Sequence, residues 1–389
     1  MNRAEISTLP EAERDRRWQR LQELIEAEEL DALVLAANDY RGHKGTLRWV
    51  GDFDLVHRYG YALASPGRDP SLLLPENLAL QPLGRWGIEV AYARDLGAGL
   101  AAALAALRPS RIGVVGLGQV MKVEDYLAVR AALPAAEIVD ANLAFERVRA
   151  AKDPLELEGA REATRIAEAA FERLLEVAGE GVSERQIGAE VARTALAAGG
   201  QDLLFLTMYG RQREDGTVGG HFGIPADRLL AAGDVHTLSF ELIGPLGYWM
   251  ELSRMVVVGA PDELAQRLNL AVAAGLRAGG DALAAGAEPS AAQAAIEAAA
   301  AAHGTSCAYW SGHGIGQDVI EEPWVGLDVV QDRDAPPAEP LAAGMVLSLH
   351  PFVVDEGQRG IGYMADTFVV EDGGAAPLSN LSRDLWEVS

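Results

Sequence analysis

Trp18, Leu21, Leu24 and Ile25 recur at helical spacing, and Asp31-Ala-Leu-Val-Leu-Ala-Ala follows as an apolar run of strand length. The pattern predicts a helix and then a buried strand. Residues 60–64, 71–74 and 111–115 read as further strands, with an alanine-rich helix over 98–107 and turns at Pro66-Gly67 and Pro75-Glu76-Asn77. An α/β N-terminal domain is expected.

Near 147–154 the pattern changes. A long amphipathic helix is predicted over 155–178, and Ser183-x-x-Gln186 is a capping-box signature for a second helix running to about 198. The boundary is placed near 150, giving domains 1–150 and 151–389. From Val235 strands dominate, interrupted by alanine-rich helices at 264–285 and 290–303. Gly244-Pro245-Leu246-Gly247 separates two strand-like runs and reads as a hairpin turn. With Pro245 and Leu246 as a two-residue turn, Phe240 is expected directly across from Glu251, and Glu251 shares its face with Trp249 and Ser253.

At 389 residues the chain exceeds what one core usually supports, which agrees with two domains. The net charge of −24 repels phosphate backbones and anionic lipid, so neither nucleic acid nor a membrane is an expected partner. Cys307 is the sole cysteine, which excludes intramolecular disulfides and thiolate zinc sites. Lysine occurs only at 44, 122 and 152, so no Schiff base is built on the second half of the chain. The charged N-terminal stretch carries no apolar signal core, and no apolar run approaches the ~20 residues that span a bilayer. A cytoplasmic protein is expected.

His313 sits in Ser311-Gly-His-Gly-Ile-Gly, where glycines let a backbone or a ligand approach the imidazole. His350 ends the apolar run Val346-Leu-Ser-Leu, where a polar side chain must find a partner. His221, between glycines, is a candidate mobile acid or base. Glu251 alone reads first as a surface carboxylate. Phe240, Trp249 and Trp310 are candidate walls of a substrate pocket, and equally ordinary strand-core residues; Glu322 joins them as a candidate substrate contact.

Taken in order, several motifs resemble the creatinase and prolidase family. They are Gly312-His-Gly-Ile-Gly316, Glu321-Glu-Pro, Gly344-Met-Val, Ser348-Leu-His-Pro and Asp366-Thr-Phe-Val-Val. The hairpin with Glu251-Leu-Ser-Arg254 is similar to the family's metal-binding hairpin, and Leu30-Asp-Ala-Leu-Val-Leu, Trp49-Val-Gly-Asp-Phe and Arg149-Ala-Ala-Lys-Asp-Pro to its companion domain. The resemblance implies a creatinase/prolidase-type α/β N-terminal domain followed by an α+β pita-bread catalytic domain. It also implies a homodimer in which Tyr40, His43 or Arg48 of one chain reaches the other's site.

The family's five metal-ligand positions are Asp, Asp, His, Glu and Glu. Matched to this chain they fall on Phe240 (Glu241 with a one-residue slip), Glu251, His313, His350 and Ala365. Phenyl and methyl groups bind no divalent ion, so the match argues against a dinuclear centre. Glu251, His313 and His350 remain as the ligand set for one zinc, iron or manganese ion, or as the acid/base groups of a metal-free site.

The leading expectation is a creatinase-like hydrolase of a C–N bond in a small nitrogenous molecule. His221 is its proton shuttle, and Glu251, His313 and His350 complete its catalytic set. The alternatives are an Xaa-Pro dipeptidase-like metallopeptidase, a single-metal lyase or oxygenase, and a non-catalytic peptide-binding pseudo-peptidase.

Overall fold

The structure, a computed structural model, describes residues 9–79, 86–210, 222–326 and 339–389, which divide into two compact units. The first comprises residues 1–149 together with Gln317–Val319. Its elements are α1 (Glu11–Ala27), β1 (Ala32–Asn38), α2 (Gly45–Gly51), β2 (Tyr59–Ser65), β3 (Arg68–Pro75), β4 (Glu89–Ala93), α3 (Leu96–Leu107), β5 (Arg111–Val115), α4 (Val123–Ala132), β6 (Glu137–Asp140) and α5 (Asn142–Ala150). The strands form one mixed sheet in the order β4-β3-β2-β1-β5-β6. Strand β1 is apolar on both faces because both are covered. Leu33, Leu35 and Ala37 enter one core with α1 and α2, and Ala32, Val34 and Ala36 enter another with α3 and α4. Asp318, from the late segment, accepts from Gly45 N at 2.7 Å and pairs with Arg149 at 2.6 Å.

The second unit opens with α6 (Pro154–Val177) and α7 (Glu184–Ala197), both with reciprocal capping boxes, Asp153 with Glu156 and Ser183 with Gln186. There follow β7 (Gln201–Tyr209), β8 (Val235–Ile243), β9 (Trp249–Val258), α8 (Glu263–Ala282), α9 (Pro289–Ala301), β10 (Thr305–Cys307), β11 (Gly312–Gly314), β12 (Glu321–Val325), β13 (Val346–Leu349), β14 (Phe352–Asp355), β15 (Ile361–Tyr363), β16 (Asp366–Glu371), β17 (Gly374–Pro377) and β18 (Trp386–Val388).

Among the described residues three sheets result, with strand orders β18-β9-β8-β7, β12-β11-β13-β16-β17 and β10-β14-β15. Helices α6 and α7 cover one face of β8 and β9, where Leu238, Phe240, Leu242, Met250 and Leu252 form a core with Phe171 and Leu174. Helices α8 and α9 bury Leu268, Val272, Leu276 and Ile296 against Leu347, Leu349, Val353 and Phe368. Among the described residues no helix is long and apolar enough to cross a membrane.

Candidate metal centre

The β8–β9 hairpin differs from its expected register by one residue. Glu241, not Phe240, stands across from Glu251, and Phe240 pairs with Leu252. The reason lies in the turn. Five residues, Gly244 to Tyr248, separate the last paired residues Ile243 and Trp249, and Gly247 adopts a left-handed φ of 86° that favours glycine. One extra turn residue shifts the pairing and reverses which side chains face which way. Phe240 therefore turns into the helix-covered core, edge-on to Phe171 and Phe205, and the structure does not bring it to the site.

Glu251 is buried, and three strands hold it. Ser348 Oγ from β13 donates to Glu251 Oε2 at 2.5 Å, and Tyr363 OH from β15 donates to Oε1 at 2.5 Å. Thr367 of β16 fixes the backbone: its Oγ1 accepts from Glu251 N and donates to Glu251 O, both at 3.0 Å. Strand pairing sets Trp324, His313, Ser348 and Thr367 in one row across β12, β11, β13 and β16, so all four share a sheet face.

His313 Nδ1 lies 2.8 Å from Gly314 O. A carbonyl only accepts, so this nitrogen carries the proton and Nε2 keeps its lone pair, 3.8 Å from Glu251 Oε2. The flanking glycines serve backbone packing: a Cβ at Gly314 would lie 2.2 Å from Glu322 O. The His350 ring sits 5.2 Å from that of His313, and its buried Nδ1 has no hydrogen-bond partner among the described residues. Burial works against charge on Glu251, but His350, His313 and the two hydroxyl donors outweigh it and hold its carboxyl below the usual range. Burial pushes His350 down to about 4 and also lowers His313, in each case against the pull of Glu251. Burial and the Glu251 charge push the Tyr363 phenol far up, so it remains a donor. An ionised carboxylate and two neutral imidazoles are the protonation states in which these groups bind a cation.

Aromatic rings surround the cluster. Trp310 lies edge-on to His350 at 6.0 Å and to Trp324 at 5.8 Å, and Tyr309 packs 6.2 Å from His350. Trp249 is buried on the Glu251 face of β9, and its backbone N–H donates to Gly316 O at 2.7 Å. Glu322 is half-buried in β12, beside Glu321, which pairs with Lys152 at 2.7 Å. Ala365 is fully buried and bridges to Ser253 through backbone bonds. His221 lies outside the described residues. Ser348, Tyr363 and Thr367 were not foreseen from the sequence. Ser348 was open to discovery, being a polar residue at an alternate position of an otherwise apolar buried strand, two before His350.

One donor atom from each of Glu251, His313 and His350 lies within 4.8 Å of the others. The set fits one divalent ion: two imidazole nitrogens and a carboxylate suit zinc or iron, and the orphaned His350 Nδ1 is an unused buried donor site. Among the described residues no cluster for a pair of ions is seen: Ala365 presents a methyl group, Phe240 faces away, and Glu241, which takes the place across from Glu251, is not among the donor atoms that converge.

Comparison with known proteins agrees with this architecture. The model of metallopeptidase family M24 matches residues 158–372, and that of the creatinase/prolidase N-terminal domain matches residues 17–151. The uncharacterized peptidase YqhT of Bacillus subtilis is 26% identical over 250 residues, 64% of this chain and 67% of that protein. The probable dipeptidase PepE of Mycobacterium bovis is 27% identical over 248 residues, 62% of this chain and 61% of that one. Among solved structures, dipeptidase PepE from Mycobacterium ulcerans superposes with a TM-score of 0.80 at 22% identity, covering 98% of this chain and 100% of that one. The prolidase from Thermococcus sibiricus does so with a TM-score of 0.82 at 18% identity, with the same coverage. At these identities the superpositions establish the fold.

Proposed function

The chain belongs to metallopeptidase family M24, among the hydrolases of the creatinase/prolidase superfamily, and from that premise we propose that it hydrolyses the amide bond of a dipeptide-sized substrate at a mononuclear centre held by Glu251, His313 and His350. The observation that carries the proposal is the convergence of these three side chains, in binding-competent protonation states, on a fold shared with dipeptidases and prolidases. In this reading residues 1–150 form the companion domain and 151–389 the catalytic domain of a cytoplasmic homodimer.

A bound divalent ion would polarise the scissile carbonyl and make its bound water acidic. The chain's own groups do the rest. Glu251, fixed by Ser348 and Tyr363, keeps its negative charge in a buried setting and helps hold the ion and orient the attacking water, whose proton goes to His221. Trp310, Trp324 and Tyr309 form an apolar wall that strengthens the electrostatics of the pocket by keeping water out. His221 passes a proton to the departing amine. Trp249 and Glu322 supply further substrate contacts, while Phe240 supports the sheet from behind.

The test is hydrolysis of a panel of dipeptides, with and without a C-terminal proline, by the purified protein and by Glu251→Ala, each before and after exhaustive chelation. Turnover lost on chelation and restored by one equivalent of ion supports the proposal; turnover indifferent to both sinks it. A second reading, metal-free hydrolysis of a non-peptide C–N bond, draws on the two hydroxyls that already satisfy both Glu251 oxygens. Chelator-resistant turnover would favour it.

A further inference from the structure

Glu251 carries three rotatable side-chain bonds, yet its carboxylate has been left no freedom. One oxygen is bonded to a hydroxyl from the five-stranded sheet and the other to a hydroxyl from the three-stranded sheet, while Glu251 itself belongs to a third. Its backbone is clamped on both N–H and C=O by Thr367, which neighbours Ser348 across the β13–β16 pair. The oxygen that faces His313 Nε2 is Oε2; Oε1 points to Tyr363. A freely turning carboxylate chelates an ion through both oxygens or through either one, so the two hydroxyls decide between coordination modes.

We propose that Tyr363 is a positioning residue that, together with Ser348, holds Glu251 so that it offers a single oxygen, Oε2, to an ion shared with His313 and His350. This rests on the mononuclear reading and extends it by naming what sets the coordination mode. Tyr363 suits the task. Its ring is locked by Phe222 at 4.9 Å and Phe352 at 6.2 Å and stacks at 23° to His350 at 6.1 Å, so the phenol is aimed by packing and not by the ion. An outer hydrogen bond of this kind typically accounts for about 10- to 100-fold in metal affinity.

Cobalt(II) is the probe, because its visible absorption weakens sharply as coordination rises from four towards six and so reports the carboxylate's mode independently of turnover. The metal-stripped protein, Tyr363→Phe and Ser348→Ala are titrated with cobalt(II) by calorimetry and absorption, with circular dichroism as the check on folding. The expected result is that Tyr363→Phe, which keeps the ring, binds cobalt about 10- to 100-fold more weakly and with a changed band intensity, with Ser348→Ala shifted in the same sense. Wild-type affinity and spectrum in a folded Tyr363→Phe would overturn the positioning role alone. Failure of the unaltered protein to bind cobalt would overturn the mononuclear centre, and the positioning role with it.

Discussion

His313 Nε2 and Glu251 Oε2 face each other at 3.8 Å, both buried. The distance is too long for a hydrogen bond and is one that two metal–ligand bonds of about 2.1 Å can span. His313 has spent its other nitrogen on Gly314 O, and Glu251 has spent one lone pair on each oxygen. What remains on both groups is directed at the same small volume.

Replacing His350 with alanine should lower the affinity for a divalent ion by at least tenfold while leaving the fold intact. Isothermal titration with zinc checks this; unchanged affinity would remove His350 from the ligand set. Phe240→Ala should do the reverse. The ring packs in the core against Phe171 and Phe205, so its loss should cost about 3–5 kcal/mol in denaturant unfolding and leave metal stoichiometry as it was.

That contrast marks what could be read from the sequence. Glu251, His313 and His350 were legible because each sits in a short motif whose order along the chain matches a family pattern, and the structure brings all three together. The facing residue was not. Gly244-Pro245-Leu246-Gly247 announces a turn without fixing its size, and one additional residue moves Phe240 from the site to the core and puts Glu241 opposite Glu251. Tyr363 was harder still. It comes from a three-residue strand of a different sheet, and only tertiary pairing brings its hydroxyl to Glu251.

Lys152 Nζ and Glu321 Oε2 form a buried ion pair at 2.7 Å. Lys152→Ala would remove the buried cation beside the Glu321 carboxylate and should destabilise the protein by about 3–5 kcal/mol. Urea unfolding of the variant gives the number, and a change below about 0.5 kcal/mol would show the pair to be dispensable.

His236 on β8 is buried, and neither ring nitrogen has a hydrogen-bond partner among the described residues. Burial pushes it down to about 4. Between that value and its ordinary 6.5 the unfolded chain binds a proton that the native chain refuses, so acid favours unfolding. Stability should be undiminished by this group above pH 6.5 and lost as pH falls towards 4, by up to roughly 3 kcal/mol. His236→Leu should flatten the stability profile in that window relative to the parent; parallel profiles would contradict the assignment.

His221→Ala should reduce turnover by about 10²- to 10⁴-fold, the range expected for a general acid or base, with metal content unaltered. Steady-state kinetics on whichever dipeptide proves to be hydrolysed reads this out. Undiminished kcat would exclude His221 as the proton carrier.

The central claim is one ion on Glu251, His313 and His350, and elemental analysis of the purified protein beside Glu251→Ala tests it most directly. The account predicts about one equivalent of a transition metal in the parent and a near-empty variant. Two equivalents in the parent, none in the parent, or one equivalent surviving in Glu251→Ala would each contradict it.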